Sequence, residues 1–491
     1  MQKEVSQSAQ VHESPKSEAR SQAAKISTST IEKRYKYQAG PIYFEISSIG
    51  MGLRSFKRTD FRDRHGGEVV QGQVPDTGLF ELRTKEGQPV EFDSIEQPAP
   101  EEWIGYASIG DVRIKRKIKF LRDYGYFESK ISFISGTVPS IGGFGIVVGE
   151  GIFEPSTSSW LFPNYEIQEF FVQHSGTKES FAFTGLREDF LKNLDNVSLV
   201  SVGTHYFANA IRDLSSVPPS VELRASPRSK VAIATLFYDV STYVGDLEFK
   251  QLFYAGPKSV DYVKPIGDGS LTAIVHFGFF DFLAKPLLYV MKWSHSLLSN
   301  WGLAIIALTL LVRLLVLPLH LSSIRSMKAM QKIQPQLQLI RERYKDDPVA
   351  MNRETMALMR ESKANPLGGC LPMLLQIPIF FALYKVIGSA VELYQAPFFA
   401  WIKDLSTHDP YYVLPILMGV AMYFQSKMTP TTLDPVQAKI FAFLPVIFTV
   451  FMLQLPSGLT LYMLVSALFT IVQQYVLLRK EDLKEARQEA K

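Results

Sequence analysis

The sequence predicts a large antiparallel β-sandwich followed by a polytopic α-helical membrane domain. Three observations carry the prediction. The 491 residues are 46% hydrophobic with a formal charge of +4, an almost soluble average. That average hides two unlike halves: residues 1–270 are charged and turn-rich, whereas residues 271–478 hold long apolar runs. The single cysteine, Cys370, excludes a disulfide framework and a Cys-based zinc site. The near-even charge gives no argument for nucleic acid.

Residues 1–30 are rich in Ser, Gln, Lys and Glu and have almost no large apolar side chains. Such a stretch cannot offset its ordering entropy, so a disordered linker is expected there. It lacks the apolar core of a signal peptide. Residues 31–264 then show short alternating runs bounded by Gly, Pro, Asp and Asn, for example Ile42 to Ile46, Val112 to Phe120, Phe127 to Ile134 and Val231 to Phe237. Between Arg113 and Phe120 apolar residues recur at even positions, the pattern of a half-buried strand. Many such strands predict the sandwich.

Residues 265–300 contain Phe279 to Leu298, apolar but punctuated by Asp281, Lys285, Lys292, Trp293 and His295. Lys285 and Lys292 lie seven apart on one helix face. An amphipathic helix in the membrane interface is predicted, with Trp293 at headgroup level; a buried helix of the β-domain is the alternative. Within residues 301–478, five segments can span about 30 Å of hydrocarbon: Trp301–Leu319, Leu371–Val391, Tyr411–Ser426, Ala438–Gln454 and Leu459–Leu478. Leu455-Pro456-Ser457-Gly458 reads as a tight hairpin between the last two.

Loop charge orients the bundle. His320 to Leu367 carries nine Lys and Arg against five acids, whereas Glu392 to Pro410 has only Lys403 as a base. The first loop is thus expected in the cytoplasm, with the β-domain outside it and the tail, residues 479–491, inside. Residues 322–363 read as an antiparallel helical hairpin broken near Asp346-Asp347-Pro348. Its Met327, Met330, Met356 and Met359 form either an adaptable surface for hydrophobic segments or the seam of a hairpin packed on itself.

No enzyme constellation stands out: there is no HExxH, GxSxG or Walker loop, and the eight histidines are scattered. Gly143-Phe144-Gly145 with Gly149 misses the dinucleotide spacing and is read as a turn. The sharp feature is Arg313, about 9 Å from the cytoplasmic end of the first span at 1.5 Å per residue. A guanidinium in hydrocarbon costs at least ~2.5–3.5 kcal/mol and normally faces a bundle interior or a wet cavity, although Arg313 is also shallow enough to snorkel. Thr309 lies one turn earlier on its face. Gln376, Gln425 and Gln473 lie in the same leaflet, with Ser426, Ser466 and Gln474 also inside the spans. This distribution describes a half-channel wet from inside and sealed outside, or else interhelical hydrogen bonding. A solute transporter or channel using Arg313 as an anion site would place polar residues in both leaflets and show inverted repeats; neither is evident.

The last 220 or so residues closely resemble the YidC/Oxa/Alb family of membrane protein insertases. The resemblance is carried by Asn300-Trp301-Gly302, Asn365-Pro366-Leu367-Gly368-Gly369-Cys370, Gln395-Ala396-Pro397-Phe398, Asp409-Pro410-Tyr411-Tyr412, Pro430-Thr431-Thr432 and Pro456-Ser457-Gly458-Leu459. His205-Tyr206-Phe207-Ala208 and Tyr254-Ala255-Gly256-Pro257-Lys258 resemble the extracytoplasmic domain of the Gram-negative branch. The resemblance implies a five-helix insertase core around a hydrophilic groove, with Arg313 as its intramembrane arginine and Pro378, Phe380 and Phe448 on the face that contacts incoming helices. It also implies an all-β supersandwich periplasmic domain of galactose-mutarotase type, inner-membrane location and no cofactor. The implied partners are nascent membrane proteins, the ribosome, the Sec translocon and the lipid bilayer. Gram-negative members begin with a further transmembrane helix, so a shortened or processed form is expected.

Overall fold

The computed structural model describes residues 32–489 apart from 64–65, 122–124, 153–166, 244–246, 267–268, 363–370 and 429–434. Within helices, the side chains of residues 327–328, 371–375, 435–442 and 478–489 are outside the described set. The linker at 1–30, Asn365 to Cys370, Pro430 to Thr432 and the side chain of Met327 therefore lie outside the described residues.

The N-terminal part is all-β. One antiparallel sheet joins β1 (Arg34–Ala39), β2 (Ile42–Ser47), β3 (Leu53–Arg62) and β4 (Glu68–Gln71) in sequence order. The strands that follow are β5 (Glu81–Thr84), β6 (Phe92–Ala99), β7 (Glu102–Ile109), β8 (Val112–Leu121), β9 (Tyr126–Ser135) and β10 (Gly143–Gly151). Then come β11 (Glu169–His174), β12 (Thr177–Ala182), β13 (Phe190–Leu194), β14 (Val197–Gly203), β15 (Phe207–Asp213), β16 (Ser220–Ser226), β17 (Val231–Asp239) and β18 (Glu248–Pro257). They build a five-stranded sheet in the order β13-β16-β17-β10-β5 and a nine-stranded sheet in the order β12-β11-β14-β15-β18-β9-β8-β7-β6. A single apolar core including Phe44, Trp103, Phe127, Phe144, Leu236 and Phe253 fills the space between sheets, the layered solution that strands with one apolar face require.

The alternation expected of Val112 to Phe120 is present in β8, with one polar exception. Arg116 is fully buried, donating to the carbonyls of Gly50 at 2.7 Å and Phe80 at 2.8 Å and lying over the Phe253 ring. Burial pushes its guanidinium down to about 9, with Glu81 opposing. The glycines of 143–149 correct the turn reading: they are the start of buried β10. A Cβ would sit 2.6 Å from the Phe237 ring at Gly143, 3.0 Å from Thr235 at Gly145 and 2.8 Å from Val74 at Gly149. These glycines admit neighbours crowding a central strand.

The C-terminal part is helical: α1 (Val260–Val263), α2 (Asp281–Leu298), α3 (Trp301–Arg343), α4 (Pro348–Glu361), α5 (Leu371–Ser389), α6 (Val413–Met428), α7 (Pro435–Met452) and α8 (Ser457–Glu489). By length and hydropathy, α3 and the Ser457–Leu477 part of α8 can each cross a membrane, and shorter apolar helices cover Gln376–Ser389, Val413–Met428 and Phe443–Met452. The first span does not stop at Leu319. It runs straight into the first arm of the helical hairpin as one 43-residue helix, with Pro318 and Pro335 inside it. Each proline deletes one backbone donor, and the helix continues past both. The arm then turns back at Asp347, whose carboxylate caps α4 by accepting from the N–H groups of Val349 and Ala350.

The two parts meet over a built junction. Phe171, Leu199, Leu252 and Tyr254 of the nine-stranded sheet share one cluster with Ile266, Leu271 and Ile274 and with residues of α2, α3 and α5. Lys292, which shares a helix face with Lys285, is drawn into the junction. It bridges Asp261 at 2.9 Å and Glu392 at 2.6 Å, while Glu392 accepts from Ser259. Glu169 binds Lys258 at 3.1 Å and His276 at 3.2 Å.

Candidate functional site in the helical bundle

The site is assembled from the start of α3. Asn300 caps that helix by accepting from Leu303 N at 3.0 Å, and its own amide donates to the Phe398 carbonyl. Gly302 faces the Phe398 ring so closely that a Cβ would fall 1.9 Å from it. These contacts explain why Asn300-Trp301-Gly302 and Gln395-Ala396-Pro397-Phe398 occur in one sequence. They pin the helix to the loop between α5 and α6.

That loop closes one end of the bundle. The Asp409 carboxylate, almost fully buried, accepts from Trp401 Nε1 at 2.9 Å and from the backbone N–H groups of Tyr411 and Leu414 at 3.0 and 2.8 Å. Ser457 N donates to the Thr407 carbonyl and Gly458 N to that of Leu405, so the start of α8 is stitched to the same loop. Beneath it Ile305, Leu308, Ile387, Leu405 and Leu459 are buried together. This end is dry.

Polar contacts begin on the far side of that apolar layer. Arg313 Nε donates to Ser466 Oγ at 2.7 Å and Nη2 approaches the same oxygen. Gln376 of α5 donates to the Tyr462 hydroxyl. Gln473 of α8 meets His320 of α3 at 2.9 Å. Tyr462, Ser466, Thr470 and Gln473 recur at helical spacing, so α8 presents one polar stripe to α3 and α5. Among the described residues no carboxylate pairs with Arg313. Among them, the acceptor that meets its charge is the Ser466 hydroxyl.

The structure thus brings Arg313, Gln376 and Gln473 onto the α8 stripe. Thr309 is buried one turn away and donates to the Ile305 carbonyl of its own helix. Gln425 is half-buried near the end of α6. Pro378 and Phe380 on α5 and Phe448 on α7 are half-buried, with Phe380 and Phe448 packed against the bundle core. In the hairpin, Met330 is buried with Ile333 and Leu337, and Met359 packs against them. Met356 is 56% exposed. Sequence reading left Tyr462 and His320 unassigned and named Ser466 without a partner. The spacing of the α8 stripe was the available signal.

Apolar helices around a half-buried arginine, closed at one end by a buried loop, define a multi-span membrane module, and residues 293–485 match the family described as 60Kd inner membrane protein. The curated relatives are YidC membrane protein insertases. That of Geobacter sulfurreducens is 51% identical over 237 residues, covering 48% of this chain and 44% of the relative. That of Campylobacter jejuni is 49% identical over 233 residues, covering 47% and 44%. The chain spans about half the length of the curated relatives it matches. Among solved structures, an active YidC insertase with its first transmembrane domain resolved is similar at 20% identity and TM-score 0.40, covering 91% of this chain and 95% of that one. A putative aldose 1-epimerase from Escherichia coli K12 is similar at 7% identity and TM-score 0.32, covering 46% of this chain and 99% of that one. The C-terminal half is therefore similar to the insertases whose motifs it carries.

Proposed function

We propose that this protein is a membrane protein insertase and chaperone of the inner membrane, acting without covalent catalysis, alone or with the Sec translocon. The observation that carries the reading is the Arg313 guanidinium, which is held by Ser466 and has no carboxylate partner among the described residues. A permanent cation whose acceptor is a neutral hydroxyl retains its attraction for an incoming anion. In this reading α3 and α4 form the cytoplasmic hairpin that receives a hydrophobic segment from the ribosome or from Sec. The β-domain lies on the opposite, periplasmic side. The polar or acidic tail of the client enters beside Arg313, where the α8 stripe and water replace part of its hydration. The loop around Asp409 and the apolar layer under it keep the far end shut to ions. The apolar segment then leaves sideways past Pro378, Phe380 and Phe448 into lipid, and burial of its apolar surface drives the step.

The test uses the purified chain in sealed liposomes without nucleotide, with a single-span client bearing an acidic tail and protease protection as the readout. Protection above empty liposomes is expected. Arg313→Lys should retain more activity than Arg313→Ala, and acidic-tailed clients should lose most. Equal activity of all three proteins would remove Arg313 from the mechanism. Solute flux without client protection would instead support an anion transporter or channel.

A further inference from the structure

The outer face of the nine-stranded sheet is divided. On one side Phe171, Leu199, Leu252 and Tyr254, with Tyr126 of β9, are buried against the segment after β18 and, through it, the helical bundle. This face is therefore the one turned toward the bundle. On the β7–β8–β9 side the same face is uncovered, and strand alternation projects Lys115, Lys117 and Lys119 from β8, Lys130 from β9 and Lys250 from β18.

Lys117 stands directly opposite Lys130, and Lys130 directly opposite Lys250. Like charges in register on adjacent strands are unfavourable, so three in a row is an arrangement that folding alone does not select. The carboxylates next to these lysines are Glu102, Glu128 and Glu248; further out on β6, Glu96 stands opposite Ile104 and Asp93 pairs with Arg113. Glu102 pairs with Lys117 at 2.8 Å, while Glu248 is shared between Lys130 at 2.5 Å and Lys250 at 3.3 Å. Glu128 stands opposite Lys119. Lys115 lies over the Tyr106 ring, opposite Ser132. Five ammonium groups thus have three carboxylates as immediate neighbours, with Glu96 one strand further out.

The level of this face relative to the bundle follows from β8 and α2. Leu121, the last residue of β8, packs against the cluster that continues into the bundle. Lys119 and Lys117 follow at steps of about 7 Å along the strand. Beside the junction, α2 and the turn before it leave Phe279, Tyr289 and Trp293 exposed at 87%, 75% and 55%. Such aromatic side chains settle at headgroup level.

We propose that the lysine face of β8, β9 and β18 rests on the bilayer beside the bundle and binds the phosphodiester groups of anionic lipids. The inference rests on the membrane placement of the helices proposed above. An acidic protein is the other occupant of matching charge. The lipid is favoured because the lysines share a sheet face with the buried contact to the bundle, and that contact includes α2, the helix that carries exposed aromatic side chains.

The full chain is placed in nanodiscs of phosphatidylcholine alone or with about one third phosphatidylglycerol, and lysine acylation is read site by site by mass spectrometry. Co-elution with lipid is scored first; failure there overturns the membrane reading and this proposal with it. With incorporation established, acylation of Lys115, Lys117, Lys119, Lys130 and Lys250 is expected to fall about threefold or more in anionic discs at low salt and to recover near 1 M salt, where screening is short-ranged. Lys36 on the separate four-stranded sheet, 73% exposed, should react alike in both discs. The triple variant K117Q/K130Q/K250Q should lose the lipid dependence at Lys115 and Lys119. Equal labelling in the two lipids overturns the proposal. So does protection conferred by an added acidic polypeptide with none from anionic lipid, which would make the face a protein-docking surface.

Discussion

Ser466→Ala isolates what the guanidinium needs in order to work. Ser466 is almost fully buried, and its hydroxyl oxygen accepts from Arg313 Nε at 2.7 Å while facing Nη2. A hydrogen bond to a charged group contributes about 1.5–3 kcal/mol. The alanine variant leaves room for water to meet the freed N–H groups, so the lower figure applies. The charge remains, but its position is no longer fixed. If a client carboxylate is drawn to that position, a loss of about 1.5 kcal/mol in the step that seats it lowers the insertion rate about tenfold.

The assay is the initial rate of protease protection in sealed proteoliposomes, for one client with aspartate in its tail and the same client with asparagine there. Ser466→Ala is expected to slow the aspartate client about tenfold and the asparagine client by less than about threefold. Ser466→Thr keeps an oxygen at the same branch point, so it should restore most of the rate. Equal slowing of both clients would mean that the serine supports the bundle and does not position a charge. Unchanged rates for both would refute the argument that Arg313 has to be held at all.

Three further outcomes follow from the contacts described. Burial pushes the Glu150 carboxyl up to about 7, against donors at Gly72, Gly151 and Asn209. Its folded value thus exceeds the unfolded one, so its contribution is full below about pH 4.3 and is lost as pH rises through about 7, about 4 kcal/mol in all. Glu150→Gln should flatten the stability of β10 across that window in hydrogen exchange; the same slope in both proteins would contradict this. Asp409→Ala orphans the Trp401 indole and two backbone N–H groups, so the loop should lose about 2–4 kcal/mol of local stability, seen as faster proteolysis between α5 and α6. Gly302→Ala drives a methyl into the Phe398 ring and should cost about 1–3 kcal/mol, measured as a lower melting temperature in detergent; an unchanged transition would show that the ring has room to move.

Local patterns were legible wherever one face of an element decides the residue type. The β8 alternation could be read because every second side chain enters the core. Arg116 was not readable, because what lets it in is a set of carbonyls from Gly50 and Phe80, 66 and 36 residues away. The five apolar segments were equally plain, and each overlaps a helix. Ending the first span at Leu319 missed that the helix runs on into the hairpin arm: Pro318 costs one donor and a steric clash, which tertiary packing can offset. The partners of Lys292, Asp261 and Glu392, were not readable, because helical spacing tells which residues share a face and not what that face meets.

The same limit applies at the site. Arg313 announced itself because a guanidinium in an apolar run is expensive wherever it points. Its partner did not, since Ser466 is an ordinary residue for a packed helix and lies 153 positions on. What would have found it is the α8 stripe of Tyr462, Ser466, Thr470 and Gln473. A span that repeats polar groups on one face needs a polar neighbour, and α3 carries the strongest one. The chemistry of such a site is therefore read by asking which helix can answer a charge, and the Ser466 variants test whether that answer fixes the charge where a client needs it.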